Sequence, residues 1–542
     1  MGAEEHDVVV AGLTTEAERA AHERARRAGV SHLRALAPRA PRPGEPVAVE
    51  LTAGPEAPPG PAWVEIRGER MELEAAGVEW DTLVWGYVRR YRGMLPGLPA
   101  GAFRYRLGVG ELEADAGRSQ ALVVGDAGPP AWAAGAIVYQ VWVDRFWAGG
   151  GASWPGAGAA PADRYGGALA GLVERLDHVA ELGANTVWLN PIHPGTAYHG
   201  YEVTDYLSVD PALGTLEDFG RLVSELHERG LRLVLDLVPS HVSHLHPAFV
   251  AARADAESPF ARWFRFDDWP DGYRSFFGVR TMPRLDHDEP AVREHLVGAA
   301  LSWLERGVDG FRLDFAHGAG DELWAELRVA ARAASPECWL FGEVVETPGK
   351  QLSYEGLFDG CLDFELAQAL RGAFGYRDRG GRQLAAFLDA HEAAFPVAFS
   401  RPSFLDNHDV NRFLWIAGGD ARQLRLAALC QYTLQGPPIV YYGTEVGLSQ
   451  EGSVKDASSP AGDRHARLPM LWDGDQDREL LRFYGELAAL RRERPELAAG
   501  PRETVSADAA SLAYARGGLV VELDLAAGSG SVREGRETLL RT

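Results

Sequence analysis

The sequence predicts an α/β protein whose centre is a closed (β/α)8 barrel, the TIM-barrel fold, flanked by two β domains. Eight short apolar segments of strand type follow one another after residue 136, mostly separated by helical segments. Before them, from residue 43, short apolar stretches alternate with Gly/Pro turns, a rhythm typical of a β-sandwich. The 542 residues suffice for several domains. A doubly wound sheet uses the same strand–helix alternation and stays open as an alternative.

The elements follow one another in a regular order. The first barrel strand is AIVYQVW, and the helix after it ends at Gly183. The strand NTVWLN comes next, followed by a helix with Thr215 as N-cap, Asp218 in a capping-box position and Gly230 as its stop. The remaining six strand candidates are LRLVLDL, VDGFRLDF, CWLFGEV, CLDF, RPSFLDN and PIVYYGTE.

These patterns divide the chain into three parts. Residues 1–130 hold a charged N-terminal helix, to about residue 35, and the β-sandwich. Residues 131–480 form the barrel, with an inserted subdomain at 241–290 after the third strand. Residues 481–542 form a small C-terminal β domain. Loops that follow barrel strands emerge at the active-site face, so the insertion is expected to lie over that face.

Composition excludes several classes of protein. The chain carries 54 Lys and Arg against 77 Asp and Glu, a net charge of −23, which argues against nucleic acid or an anionic membrane as partner. No run of about 18 apolar residues is present, and the start of the chain lacks the pattern of a signal peptide. The three widely spaced cysteines suggest neither a disulfide framework nor a metal site. A cytoplasmic protein is expected.

Acidic residues recur where the predicted barrel strands end. They are Asp236, Asp314, Glu343 and Asp409. Polar residues at the carboxyl ends of barrel strands, the mouth of the barrel, are typical of a catalytic site rather than of a structural role. The same mouth collects four basic or imidazole side chains, namely His199, His241, Arg312 and His408.

Two of the acids suit complementary roles. Arg312 and Asp314 are two apart in one strand and face the same way, so the guanidinium is expected to lower the pKa of Asp314 and keep it ionised. Glu343 has no cation beside it in sequence and is the better candidate for a protonated acid. Two such carboxyl groups, about 5–5.5 Å apart, permit glycoside hydrolysis with retention of configuration. The sequence places them on adjoining strands.

The chain resembles the alpha-amylase family, glycoside hydrolase family 13, over most of residues 130–500. The motifs occur in the family's order: AIVYQVWVDRF, YHGYEVTDYLSVDPALGTLEDF, DLVPSH, GFRLD, FGEV and FLDNHD. PPAWAAGAIVYQ, FFGVRTMPRLDHDEPAVREHL and the N-terminal β domain look most like the neopullulanase/cyclomaltodextrinase/maltogenic amylase branch.

The resemblance implies roles for individual residues. Asp314 is the nucleophile, Glu343 the general acid/base, and Asp409 a third carboxylate that binds substrate hydroxyls. Substrate contacts fall to Arg312, His241 and His408 around the reacting sugar, to Asp236 at the floor of the pocket, and to His199 and Tyr201 as hydrogen bonder and stacking platform. The implied substrates are maltodextrins, cyclodextrins or related α-glucans, and a homodimer is kept open.

The sequence also departs from the family pattern. Ser240 stands where many members have a calcium-binding Asn, and His317 and Gly318 stand where many have Lys and then His. We therefore expect no cofactor and no tightly bound calcium. The family's Lys is expected to bind the sugar beyond the cleavage point, so its replacement leaves open which leaving group this protein prefers.

Other interpretations remain. Asp236 is nearly as well explained as a structural residue. Trp263, Trp269, Tyr273, Phe276 and Phe277 fit the core of the insertion or a sugar-stacking wall, core being preferred for most. A transglycosylase or sugar isomerase on the same triad, and an inactive carbohydrate-binding protein, are the alternative functions.

Overall fold

The computed structural model describes residues 24–82, 84–125, 128–456, 458–459 and 461–542. Most of the predicted N-terminal helix therefore lies outside the described residues. Residues 24–28 are helical, and the first strand begins at Val30.

The N-terminal domain is an antiparallel β domain around its own core. Strand Glu69–Asp81 pairs through its first half with Ala62–Ile66 and through its second half with Gly86–Leu95, so that it joins two sheets. Apolar side chains such as Val49, Val64 and Leu107 pack between them. The strands are Val30–Ser31, Leu36–Ala37, Val47–Ala53, Ala62–Ile66, Glu69–Asp81, Gly86–Leu95, Gly101–Val109, Leu112–Glu113 and Gln120–Val124.

The central domain is the predicted barrel. Its eight parallel strands follow chain order around the ring, and a bridge between Gly360 and Ser400 joins the sixth strand to the segment that leads into the seventh. The strands are Val138–Val141, Thr186–Leu189, Arg232–Leu237, Gly310–Leu313, Trp339–Gly342, Gly360–Cys361, Ser403–Phe404 and Pro438–Tyr441. They are almost continuously buried, because helices cover the sheet from outside.

The helices around the barrel follow the predicted alternation. Thr215 caps its helix with the predicted capping box, and the helix after the first strand ends at Gly183, which has the left-handed backbone expected of a stop. The main helices are Leu169–Glu174, Leu176–Leu182, Leu216–Glu228, Pro290–Glu305, Asp321–Ala334, Phe364–Leu370, Gly381–Ala394, Ala421–Tyr432 and Arg478–Glu493. Short helices lie at Ala131–Ala134, Pro348–Leu352, Phe413–Ile416 and Glu496–Ala499.

The insertion after the third strand contains the helix Pro247–Ala254 and the hairpin Phe266–Asp268/Gly272–Tyr273. Trp263, Phe264 and Tyr273 are buried in its core, whereas Phe277 is 70 % exposed. His193 and His246, which as loop histidines would ordinarily lie at the surface, are buried instead.

The C-terminal domain is a five-stranded antiparallel meander. Its strands are Arg502–Ala507, Ser511–Arg516, Leu519–Asp524, Ser529–Glu534 and Glu537–Arg541. The helix Arg478–Glu493 spans residue 481, where the sequence pattern predicts that the C-terminal domain starts. Its side chains Leu481, Tyr484 and Leu487 belong to the apolar core of the barrel. No helix in the described part of the chain is long and apolar enough to cross a membrane.

The closure of the barrel yields a test on Gly360. A Cβ at this position would lie 1.7 Å from the Ser400 carbonyl oxygen. Gly360→Ala should therefore lower the free energy of unfolding by about 1–3 kcal/mol, as overpacking of a tight interior does. Gly298→Ala is the matched control, because its Cβ meets nothing within 4 Å on an exposed helix face and should be neutral or stabilising. Equal denaturation curves for Gly360→Ala and wild type would contradict this account of the closure.

Candidate active site

A cavity of about 390 Å³ opens at the carboxyl ends of the barrel strands. Two of the nine predicted site residues, Asp236 and Arg312, lie beneath it and are almost fully buried. The other seven line the cavity: His199, Tyr201, His241, Asp314, Glu343, His408 and Asp409. The structure thus brings all nine side chains to one place.

The Arg312 guanidinium connects three of the acids. Its Nη1 atom lies 2.7 Å from Asp236 Oδ1 and 2.8 Å from Asp314 Oδ1, and its Nη2 atom lies 2.8 Å from Glu343 Oε2. The register of the neighbouring strands explains this, since Asp236 pairs with Arg312, and Arg312 pairs in turn with Phe341, two residues before Glu343. One planar fork therefore holds two carboxyl groups that open into the same cavity.

These contacts correct the electrostatic argument from sequence. Glu343 does have a cation beside it, because Arg312 reaches it from the neighbouring strand. The prediction that Arg312 sets a low pKa for Asp314 is also wrong. Burial raises the pKa of Asp314; Arg312 opposes the rise, and the carboxyl groups of Glu343 and Asp236 add to it. With three acids around one guanidinium, the cluster favours retaining a proton.

Asp236 lies at the floor and anchors a hydrogen-bond chain. It accepts a hydrogen bond from the Tyr201 hydroxyl at 2.9 Å, and that hydroxyl lies 2.7 Å from His408 Nε2. His408 Nδ1 accepts from the Gln140 amide at 2.9 Å, so its proton is on Nε2. These contacts fix the orientation of Tyr201 and His408 on the cavity wall, and they fit the structural interpretation of Asp236.

Asp409 is the exposed member of the acid group. Its carboxylate lies 2.9 Å from His408 Nε2 and 3.0 Å from Arg467 Nη2. Partial loss of solvent inside the cavity works against ionisation, but His408 and Arg467 outweigh it and hold the pKa of Asp409 below its usual value. Asp409 is therefore the acid that stays ionised throughout the physiological range.

Arg467 is a site residue that sequence reasoning missed. It is buried, donates to the His408 carbonyl and the Tyr198 hydroxyl, and pairs with Asp463 at 2.5 Å. Arg467 and Asp463 both line the cavity. The sequence offered one indication, an acid and a base four residues apart in the long segment after the last strand. These two residues do not lie at the end of a predicted strand, which is where the predicted acids of the site lie.

Two of the histidines that line the cavity, His199 and His241, are neutral. Burial lowers the pKa of His199 to about 4 and that of His241 to about 3. His199 Nδ1 accepts the Tyr201 backbone N–H at 3.1 Å, which leaves the proton on Nε2. His241 Nδ1 lies 2.7 Å from the Ser240 hydroxyl.

An aromatic group completes the wall. Phe276 and Phe277 of the insertion line the cavity together with Phe315 and His317. Adjacent rings of this group have centroids 4.1–5.4 Å apart. For Phe276 and Phe277 the interpretation as a wall is thus supported over the interpretation as core. Phe315 and His317 were not singled out as wall residues from the sequence.

Two oxygen-bearing side chains that a hard cation could use, Ser240 and Asp144, already have hydrogen-bond partners. The Ser240 hydroxyl contacts His241, and the Asp144 carboxylate accepts from the Tyr165 and Gly166 backbone N–H groups and from Arg145. No group of three or more His, Cys, Asp or Glu suited to a metal occurs among the described residues. Hard cations need several free oxygen ligands.

An eightfold barrel whose strand ends bring paired carboxyl groups into one cavity has the architecture of a barrel enzyme. The family model for the alpha-amylase catalytic domain matches residues 140–480. The chain belongs to the alpha-amylase family of glycoside hydrolases.

Individual relatives agree with this assignment. Alpha-amylase 2 of Dictyoglomus thermophilum is 38% identical over 373 residues, which are 68% of this chain and 65% of that protein. A cyclomaltodextrinase of Bacillus sp. is 34% identical over 409 residues, 72% of this chain and 71% of that protein. A solved cyclomaltodextrinase structure is 25% identical, with a TM-score of 0.69 and coverage of 91% of this chain and 90% of that one. The second relative and the solved structure are both cyclomaltodextrinases, which belong to the branch that the sequence resembles.

The shared guanidinium makes a prediction about stability. Arg312→Met leaves Asp236, Asp314 and Glu343 without the guanidinium they share. Removing one partner of a buried ion pair typically costs about 3–5 kcal/mol. The loss should be larger at pH 8 than at pH 5, because the variant's acids remain protonated to higher pH when folded than when unfolded. Urea denaturation at both pH values measures this.

Arg229→Met is the control, since Arg229 pairs with Glu225 on an exposed helix and such pairs contribute little. A loss for Arg312→Met that is equal to this control, or independent of pH, would contradict the arrangement described above.

Proposed function

We propose that this protein is a retaining glycoside hydrolase that cleaves α-1,4-glucosidic bonds in maltodextrins, cyclodextrins or related α-glucans. The observation that carries the proposal is the pair of carboxyl groups, Asp314 and Glu343, held by one guanidinium and open to one cavity. Retaining enzymes keep their two carboxyl groups about 5–5.5 Å apart, whereas inverting enzymes leave room for a water between them. Because Asp314 and Glu343 contact the same guanidinium, their arrangement favours the shorter separation that is typical of retaining enzymes.

In the first step, Asp314 attacks the anomeric carbon while Glu343 protonates the departing oxygen. The bond between the anomeric carbon and that oxygen breaks, and a covalent glycosyl–Asp314 ester forms. The pair enters this step with one proton, which the buried acid cluster around Arg312 favours. The step needs that proton on Glu343, and Arg312, which opposes the rise in the pKa of Asp314, favours the ionised form of Asp314. Arg312 also neutralises part of the charge on the carboxyl group that stays ionised.

In the second step, Glu343 takes a proton from a water molecule. The water oxygen attacks the anomeric carbon, the ester bond breaks, and the Asp314 carboxylate is regenerated. Asp409, ionised by His408 and Arg467, is placed to accept hydrogen bonds from sugar hydroxyls and to favour the cationic sugar of the transition state. His199 and Tyr201 supply a hydrogen-bond donor and an aromatic face.

Transglycosylation is the second candidate, because it differs only in whether water or a sugar attacks the ester. The aromatic group of Phe276, Phe277 and Phe315 favours this candidate in part, since it offers a surface on which an acceptor can bind. The presence of all three acids in the cavity argues against an inactive binding protein.

We further propose a cytoplasmic location, on the basis of three buried free cysteines among the described residues and the sequence composition. Neither nucleic acid nor membrane is proposed as a partner, and a homodimer remains a hypothesis by analogy.

The catalytic roles are tested by two substitutions. Asp314→Asn and Glu343→Gln should each lower kcat on maltotriose by several orders of magnitude and leave the far-UV circular dichroism spectrum unchanged. Glu343→Gln should lose less on a p-nitrophenyl maltoside, because a good leaving group needs little protonation. Asp210→Asn, outside the cavity, is the matched control. Turnover by Asp314→Asn close to that of wild type would refute the assignment.

The proposed absence of tight calcium binding has its own test. Metal analysis of the purified, undialysed protein should find well under one calcium per chain, and EDTA should leave the thermal midpoint and activity unchanged. One stoichiometric calcium, or a midpoint lowered by EDTA and restored by calcium, would overturn the proposal.

A further inference from the structure

The cavity has two chemically different sides. In a closed ring of eight strands, the third strand lies across from the seventh, and the fourth across from the eighth. His408 and Asp409 follow the seventh strand, and Asp463 and Arg467 follow the eighth. The side across from them is lined mainly by Phe276, Phe277, Met282, Phe315, His317 and Val345, which follow the third, fourth and fifth strands.

The position of the general acid, Glu343, shows which side of the cavity binds the leaving group. This assignment rests on the proposed function. The group that protonates the departing oxygen must stand beside it. Glu343 Oε2 accepts a hydrogen bond from the Phe315 backbone N–H at 3.0 Å, so the acid lies at the aromatic side. The leaving half of the substrate therefore meets Phe315, while the charged side beyond Asp409 receives the half that becomes attached to the enzyme.

The aromatic side offers few hydrogen bonds. Apart from His241, Asp314 and Glu343 at the reaction centre, His317 is the one hydrogen-bonding side chain among the lining residues described here on this side. Burial lowers the pKa of His317, so the ring is neutral at neutral pH. A sugar at this wall can stack on the rings, but most of its hydroxyl groups find no side-chain partner there, so a flat apolar group gains more from the same contact.

The wall is held in a definite shape. Phe277 and Phe315 both have left-handed backbone, with φ of +47° and +43°, a conformation that large side chains rarely adopt. Their ring centroids are 5.4 Å apart, and Phe276 lies against both at 4.6 and 4.8 Å. Phe277 is 70 % exposed, so its ring is available to a ligand.

We infer that Phe277, Phe276 and Phe315 form an aglycone subsite for flat apolar groups, and that aryl and arylalkyl alcohols serve as leaving groups and as glycosyl acceptors. In the transfer reaction, the alcohol oxygen attacks the anomeric carbon of the glycosyl–Asp314 ester and gives its proton to Glu343. The ester bond to Asp314 breaks, and an alkyl or aryl α-glycoside is released.

The test compares benzyl α-maltoside with methyl α-maltoside. Neither leaving group is chemically activated, so the ratio of their kcat/KM values reports how well the enzyme binds the aglycone. We expect the benzyl compound to be favoured roughly tenfold, the effect of one good aromatic contact. Phe277→Ala should reduce this ratio to near one, and Phe277→Trp, which keeps a flat face, should retain it.

Leu245→Ala is the matched control, because Leu245 is an exposed apolar residue of the same insertion outside the cavity. In a second arm, maltotriose is the donor and benzyl alcohol or methanol the acceptor, and wild type should form benzyl maltoside in excess at equal acceptor concentration. A benzyl-to-methyl ratio near one in wild type, or a ratio unaffected by Phe277→Ala, would overturn the inference while leaving maltotriose hydrolysis intact. Failure to cleave any maltoside would instead overturn the proposed function.

Discussion

The site depends on one buried cation shared by three acids. Arg312 is almost fully enclosed, and its contacts to Asp236, Asp314 and Glu343 tie together the third, fourth and fifth strands of the barrel. Without this guanidinium, three carboxyl groups in a desolvated space would repel one another and take up protons. With it, the carboxyl groups of Asp314 and Glu343 are held on one guanidinium and open into one cavity.

The rest of the fold presents this cluster to the substrate. Strand register sets the positions of the acids, and the loops after the strands build two contrasting walls. The N-terminal domain contacts the same region from outside: Arg34 lies 3.6 Å from Asp321, and Arg104 pairs with Glu322. Both acids begin the helix Asp321–Ala334, which directly follows the loop carrying Phe315 and His317. The domain is thereby linked to the aromatic side of the cavity.

Features governed by local sequence could be predicted well. The alternation of strands and helices and the Thr215 capping box follow from short-range patterns, and the structure confirms them. The acids at the strand ends are also visible in the sequence, and the structure places Asp314, Glu343 and Asp409 at one cavity. Contacts across distant segments could not be predicted. Arg467 reaches Asp409 over 58 residues, and the contact between Arg312 and Glu343 depends on the register of two separate strands. Burial of Asp314 likewise follows only from packing around the closed barrel.

The most direct measurement of the central claim is to trap the glycosyl-enzyme and locate the bond. Incubation with a 5-fluoro-α-glucosyl fluoride, followed by proteolysis and peptide mass mapping, should place one added sugar on the peptide containing Asp314, and fragmentation should assign it to that residue. An added sugar on Glu343 or Asp409, or release of the β-anomer from maltotriose with no adduct at any residue, would contradict the account.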